Sequence, residues 1–147
     1  MGPRYLFLYG TLQPAAQTRM SRWLERRITH AQPASVPGRL VAIASRDGWF
    51  PALLPGRPFE RCQGTLVSVR LAPGDLARLD RYEGREYRRV LARARLAHGH
   101  PRGLVTASVY LWRAVLPARS PTIRGGDFLA WLERTGRQSY TTARDRA

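Results

Sequence analysis

One carboxylate, Glu83, continues the apolar stripe of a short predicted helix. That helix begins at residues 73–75, which read Pro-Gly-Asp, and ends at Gly84. Leu76, Leu79 and Glu83 stand at positions i, i+3 and i+7, so they share one helix face. Burial and the negative end of the helix dipole both disfavour an ionised carboxyl group there and raise its pKa. The pattern predicts an inward-facing Glu83 that could act as a general base.

The same position allows a second interpretation, in which Glu83 has no chemical role. If the helix end frays, Glu83 swings outward and forms an ordinary surface ion pair with Arg85, Arg88 or Arg89. Glu86 is the rival carboxylate, but it lies outside the helical stripe, and we expect it to be exposed. The pattern alone leaves the two interpretations of Glu83 open.

A second candidate is the turn Tyr9-Gly10-Thr11-Leu12, which follows an aromatic and aliphatic run typical of a buried strand. A glycine where such a strand breaks can expose consecutive backbone N–H groups in a concave nest for a carboxylate or an oxyanion. Thr11 adds a hydroxyl group. A tight turn without a ligand explains the same four residues equally well.

The residues that most often hold metals or act as nucleophiles are sparse here. His98 and His100 fall in a predicted loop, His30 is remote, and no acidic cluster accompanies them, so no metal site is expected. Cys62 is the only cysteine, which excludes an internal disulfide and fits a reducing cytosol. The glycine-rich and serine-containing fingerprints of NTPases, dinucleotide-binding proteins and serine hydrolases are absent from the sequence.

The charge balance raises the question of a nucleic-acid partner. The 147 residues include 25 basic and 10 acidic ones, a net charge of +15, and every basic residue is an arginine. Such charge favours nucleic acid, but the codon usage of a GC-rich genome produces the same excess. Because Tyr5, Phe7, Trp23, Phe128 and Trp131 are predicted to face the core rather than stack on bases, no specific nucleic-acid partner is expected.

The elements that must position Glu83 and the turn form one α+β domain. Strands are predicted at 5–9, 38–44, 63–71, 90–96 and 104–112, the last two as an antiparallel hairpin, with a loop at 46–59. Helical spacing predicts a helix from about Gln17 to Ile28, and another begins at Gly126-Asp127. We expect a small, mostly antiparallel barrel with two or three flanking helices over residues 1–139, and a disordered tail at 140–147. The absence of a run of ~20 apolar residues predicts a soluble protein without a membrane partner, and the single cysteine favours a cytoplasmic one.

Taken together, the motifs resemble those of the γ-glutamylcyclotransferase-like family, its AIG2-like (avirulence-induced-gene-like) and γ-glutamylamine cyclotransferase group. The resemblance rests on segments that occur in the same order along nearly the whole chain: Tyr9–Leu12, Gly38-Arg39-Leu40, residues 49–53, Gln63-Gly64-Thr65-Leu66, Leu79–Arg89 and Gly126-Asp127-Phe128. It implies the family's small barrel with flanking helices.

The resemblance also implies an activity that needs no cofactor or metal. Such enzymes cleave a γ-glutamyl amide by attack of the substrate's own α-amine on its γ-carbonyl, which releases 5-oxoproline and an amine. Glu83 matches the catalytic glutamate, the turn Tyr9–Leu12 matches the loop that holds the γ-glutamyl head, and Tyr87 matches an aromatic residue of the site; Tyr110 is a further candidate. Residues 49–51 and 117–124 are expected to form the pocket for the leaving amine. A catalytically silent member that binds a small carboxylate is the alternative.

Overall fold

The computed structural model describes residues 4–98 and 103–140 of the chain. His100 and residues 141–147 of the predicted tail at 140–147 lie outside the described residues, whereas Tyr140 is described. The described residues form seven strands and three α-helices. The strands are β1 (Arg4–Leu8), β2 (Ile28–Pro37), β3 (Arg39–Ser45), β4 (Gly48–Leu54), β5 (Arg61–Val69), β6 (Tyr87–Leu96) and β7 (Leu104–Trp112). The helices are α1 (Arg19–Glu25), α2 (Asp75–Glu83) and α3 (Phe128–Thr135).

Five strands close a barrel in the order β1-β5-β2-β6-β7, while β3 and β4 form a separate two-stranded sheet. Within the barrel, β1 runs parallel to β7, with Leu6 opposite Ser108, and the other neighbours are antiparallel. The predicted hairpin of β6 and β7 is present, with Tyr87 opposite Trp112 and Arg89 opposite Tyr110. The predicted fold class, a small mixed barrel with flanking helices, is confirmed.

From Leu6 onward, strand β1 is buried on both faces because its alternate side chains enter two different cores. Phe7 and the following Tyr9 belong to a cluster that includes residues of β5, β7 and α3. Leu6 and Leu8 face the opposite way, into a cluster covered by α1 and α2. Side chains alternate between the two faces of a strand, so a run without polar residues fits this position between two cores.

The helices begin and end where their local sequence supplies partners for the backbone. Thr18 accepts a hydrogen bond from the Ser21 N–H group at the start of α1, and Asp127 does the same for Ala130 at the start of α3. Helix α2 ends at Gly84, where φ is +92° and ψ is 177°, a conformation that only glycine adopts readily. The chain reverses there and enters β6 three residues later.

Three expectations about the elements were wrong. The predicted helix to Ile28 ends at Glu25, because Ile28 begins β2, which pairs with β5 along most of its length. The predicted loop at 46–59 contains strand β4 despite its prolines. Tyr5, expected in the core, is 40% exposed because β1 is covered only from Leu6 onward.

Candidate active site

A cleft of about 90 Å³ opens beside the end of α2, and the sequence-predicted site residues meet in its wall. They come from four places in the chain: the turn after β1, the last residue of α2, the first residue of β6, and β7. The predicted residues in the wall are Tyr9, Gly10, Thr11, Leu12, Glu83, Tyr87 and Tyr110; Phe7, Leu8, Phe50, Pro51, Tyr82 and Tyr140 complete it.

Glu83 occupies the wall of this cleft with an unpaired carboxyl group. Within residues 4–98 and 103–140, neither a hydrogen bond nor an ion pair reaches its carboxylate, and Arg89 is bonded instead to Asp80. Burial, and secondarily the nearby charge of Asp80, raise the pKa of Glu83 from 4.5 to about 8. The surface ion pair considered from the sequence is therefore not formed, and Glu86 is exposed, as expected.

Gly10, Thr11 and Leu12, in the turn after β1, line the same cleft. No hydrogen bond among the described residues takes up the N–H groups of Gly10, Thr11 or Leu12, and the turn is closed by a bond from Gln13 N–H to the Gly10 carbonyl. A Cβ atom at position 10 would lie 2.9 Å from Cγ of Pro51, so the close approach of β4 requires glycine.

Three tyrosine hydroxyl groups of the cleft form hydrogen bonds within the protein that hold the cleft wall in place. Tyr9 donates to the backbone carbonyl of Tyr110, and Tyr87 donates to the carbonyl of Pro51. Tyr110 in turn donates to Oδ1 of Asp80 over 2.7 Å. Burial is the main reason why the pKa of each of these three phenols is raised, so all three stay neutral donors at physiological pH.

Asp80 links α2 to the barrel one helical turn before Glu83. Its carboxylate accepts from Tyr110 and from Nε of Arg89, the latter over 2.9 Å. Burial tends to raise the pKa of Asp80, but the bonds from Arg89 and Tyr110 outweigh it and hold that pKa below its usual value. Asp80 is thus ionised at neutral pH, and its charge acts on Glu83.

Several residues in or beside the cleft were not singled out from the sequence. Tyr82 shares a 2.9 Å hydrogen bond with Thr11, which ties α2 to the turn. Asp80, beside the cleft, ties α2 to β7 through Tyr110. Tyr140 stacks edge-on against Phe50 with ring centroids 6.0 Å apart. Helical spacing places Asp80 one turn before Glu83 and offers a signal that was overlooked, whereas the approach of Tyr140 to Phe50 has no local signature.

Of the two segments expected to hold the leaving amine, only part of the first lies at the cleft. Phe50 and Pro51 line the cleft, but Trp49 packs edge-on against Trp131 at 5.3 Å. Residues 121–123 pair along the free side of β3, with Ile123 buried, and residues 117–124 are absent from the cleft wall. The expectation that residues 117–124 help to form the pocket is therefore corrected, because backbone pairing holds this segment against the edge of β3.

The part of the chain that the structure describes holds no group of three or more His, Cys, Asp or Glu side chains that could bind a metal ion. Among the same residues, none of the helices is long and apolar enough to cross a membrane.

Comparison with known proteins places the chain in a family. The family model for γ-glutamyl cyclotransferase, AIG2-like proteins matches residues 6–130. The chain therefore belongs to the AIG2-like γ-glutamyl cyclotransferase family. No curated protein matches it significantly by sequence.

Solved structures agree on the fold. The crystal structure of a mouse AIG2-like protein superposes with a TM-score of 0.70 at 16% identity, covering 97% of each chain. YkqA from Bacillus subtilis gives 0.66 at 16% identity; the match covers 91% of this chain and 42% of YkqA. A yeast γ-glutamyl cyclotransferase specific to glutathione gives 0.57 at 12% identity, covering 97% and 81%. At these identities the likeness shows the fold alone.

Proposed function

We propose that the protein is an enzyme that cyclises the γ-glutamyl portion of an amide substrate. The α-amino nitrogen attacks the γ-carbonyl carbon, the bond from that carbon to the amide nitrogen breaks, and 5-oxoproline and a free amine leave. Nucleophile and electrophile belong to one molecule and close a five-membered ring, so much of the entropy cost of bringing them together is already met by the substrate. The enzyme then has to position the substrate and move protons.

The unpaired Glu83 carboxyl group in the cleft wall carries this proposal. With a pKa near 8, Glu83 has a proton affinity much closer to that of an amine than an ordinary glutamate, whose usual pKa is about 4.3. The smaller difference lowers the cost of moving a proton from the α-ammonium group to Glu83, which is what a general base for this nucleophile requires. A surface carboxylate of ordinary pKa would be a much weaker base.

The turn after β1 supplies the complementary binding groups. The backbone N–H groups of Gly10, Thr11 and Leu12 have no partner within the described residues, and they can donate to the anionic or carbonyl oxygens of the γ-glutamyl head. Tyr9, Tyr87 and Tyr110 keep their hydroxyl groups bonded to the protein. In this proposal the three tyrosines shape the cleft and exclude water from it, and they neither gain nor lose protons.

The proton balance closes without an added reactant. The α-ammonium group begins with three protons, and the lactam nitrogen of 5-oxoproline keeps one. Glu83 relays the other two to the departing nitrogen, which leaves as an ammonium group. Glu83 thus serves first as base and then as acid, and it returns to its starting state.

The test is release of 5-oxoproline from a panel of γ-glutamyl amino acids and γ-glutamyl amines. Wild-type protein should release it from at least one substrate, and Glu83→Gln should abolish release while keeping the fold, checked by circular dichroism. Glu86→Gln is the matched control, because it makes the same substitution at an exposed position three residues away; its rate should stay within a few-fold of wild type. Turnover retained by Glu83→Gln would overturn the assignment of the base.

Product release and ligand binding separate this proposal from the catalytically silent alternative. A silent member would bind γ-glutamyl compounds in calorimetry and release no 5-oxoproline from any of them, and that result would refute the enzyme.

A further inference from the structure

A second, wider cleft has two lining tyrosines in common with the first. It measures about 660 Å³ and shares Tyr87 and Tyr110 with the cleft of Glu83. We call it the arginine cleft, because five of its nine lining residues are arginines. Its lining consists of Asp80, Arg81, Gly84, Arg85, Tyr87, Arg88, Arg89, Tyr110 and Arg113.

Codon usage alone does not account for this concentration. Arginines make up 25 of the 147 residues, so nine positions drawn at random would contain one or two. The five come from the last turn of α2, the segment after it, the start of β6 and the residue after β7. Four of the five lie within residues 81–89, and the pairing of β6 with β7 adds Arg113 from a distant part of the chain.

Most of this positive charge is unpaired. Arg89 is bonded to Asp80, but no ion pair within the described residues involves Arg81, Arg85 or Arg88. Arg113 is fixed by a 2.7 Å bond from its Nε to the backbone carbonyl of Arg85, which neutralises no charge.

One further carboxylate, that of Glu86, lies close to this cleft. Its Oε2 would be 3.3 Å from a Cβ atom at Gly84, which is one of the lining residues. Even with Glu86 counted beside Asp80, five arginines face two carboxylates, so the cleft has an excess of positive charge. Such a cleft attracts anions.

The size of the two clefts indicates which part of a substrate would reach the arginines. Pockets that enclose a whole small molecule usually measure about 300–1,000 Å³, and the cleft of Glu83 encloses only about 90 Å³. If it holds the γ-glutamyl head, the amine half must extend beyond its wall. Tyr87 and Tyr110 line both clefts, so the arginine cleft is the adjoining space into which the amine half would extend.

We propose that the arginine cleft binds the leaving-amine half of the substrate, and that this half is a small molecule bearing a phosphate or comparable multiply charged anionic group. This inference rests on the proposed γ-glutamyl cyclisation and adds the chemical class of the leaving group. Guanidinium groups bind phosphate and carboxylate through paired N–H donors, and those of Arg85 and Arg88 have no competing carboxylate partner among the described residues.

The test compares two substrates that differ only in the phosphate, namely the γ-glutamyl amide of O-phosphoethanolamine and that of ethanolamine. Wild-type protein should show a higher kcat/KM for the phosphorylated substrate, and the preference should shrink at 0.5 M NaCl because both arginines are exposed and salt screens them. The double variant Arg85→Gln/Arg88→Gln should lower the ratio of the two kcat/KM values about tenfold, as expected for two solvent-exposed charge contacts.

The matched control is Arg93→Gln, an exposed arginine of β6 that lines neither cleft; it should leave the ratio unchanged. If the ethanolamine amide is cleaved as well as the phosphorylated one, the inference fails and the cyclisation stands. If neither is cleaved, binding decides: O-phosphoethanolamine titrated into wild-type protein should bind more tightly than ethanolamine and lose that advantage in the double variant. Equal binding of the two amines would overturn the anion site as well.

Discussion

Replacing Glu83 by glutamine should make the protein more stable as well as inactive. The folded protein holds this carboxyl group in a partly buried cleft wall next to Asp80, and its pKa is raised from 4.5 to about 8. Folding thus favours the neutral form, while the unfolded chain is free to ionise. Glutamine has nearly the same shape and no charge to lose, so it avoids the cost of carrying a carboxyl group at this position.

The size of the effect follows from the two pKa values. Each tenfold difference in proton affinity between folded and unfolded states corresponds to about 1.4 kcal/mol. Below pH 4.5 both states are protonated, and Glu83 has no effect on stability through ionisation. As the pH rises from 4.5 to 8, the unfolded chain ionises first, and the wild type loses stability. The loss reaches about 3 kcal/mol at pH 7 and about 5 kcal/mol above pH 8, as upper values.

The assay is urea unfolding of wild type and Glu83→Gln at intervals from pH 4.5 to 9, with the free energy of unfolding extrapolated to water. The gap between the two proteins should widen steadily up to about pH 8 and then stay constant. Glu86→Gln, which removes an exposed carboxylate, should not reproduce that widening. A gap between wild type and Glu83→Gln that does not change with pH would refute the reasoning, since it would mean that Glu83 ionises in the folded protein as it does in the unfolded chain.

Three further outcomes follow from the same geometry. The logarithm of kcat should rise with pH toward a plateau above about 8 as Glu83 ionises. In Asp80→Asn this rise should shift to lower pH, because the charge that disfavours ionised Glu83 is gone. A rise that stays at the same pH would mean that the substrate amine, rather than Glu83, is the group that titrates. Gly10→Ala should lower kcat/KM about 10- to 100-fold in the 5-oxoproline assay, because its Cβ would meet Pro51 at 2.9 Å; wild-type activity would show that the turn tolerates the shift. Gly84→Ala should lower the free energy of unfolding by about 1–3 kcal/mol because φ there is +92°, and a smaller loss in urea unfolding would indicate that the end of α2 relaxes.

The local pattern was sufficient for the elements whose side chains alternate or recur with a clear period. Helix α2 was predicted from its start signal, its leucines and Gly84, and the structure gives Asp75–Glu83. Strand β2 was not predicted, because only Ala34 and Val36 of its ten residues are buried apolar side chains. Its extended form depends on pairing with β5. The same is true of β4: Pro51 within it and the prolines after it suggest a loop, and its extended form depends on pairing with β3.

The sequence by itself determined two parts of the site, the glutamate at the end of α2 and the glycine turn after β1. Both are local features: a glutamate in an apolar helical stripe and a glycine after a buried strand can be recognised from neighbouring residues, without knowing how the elements pack. Only the tertiary structure decided that Tyr110 donates to Asp80, that Tyr140 packs against Phe50, and that Arg113 joins the arginines of residues 81–89 in one cleft. These contacts join residues that are distant in the chain, and the closure of the barrel, rather than any local preference, sets the distances between them.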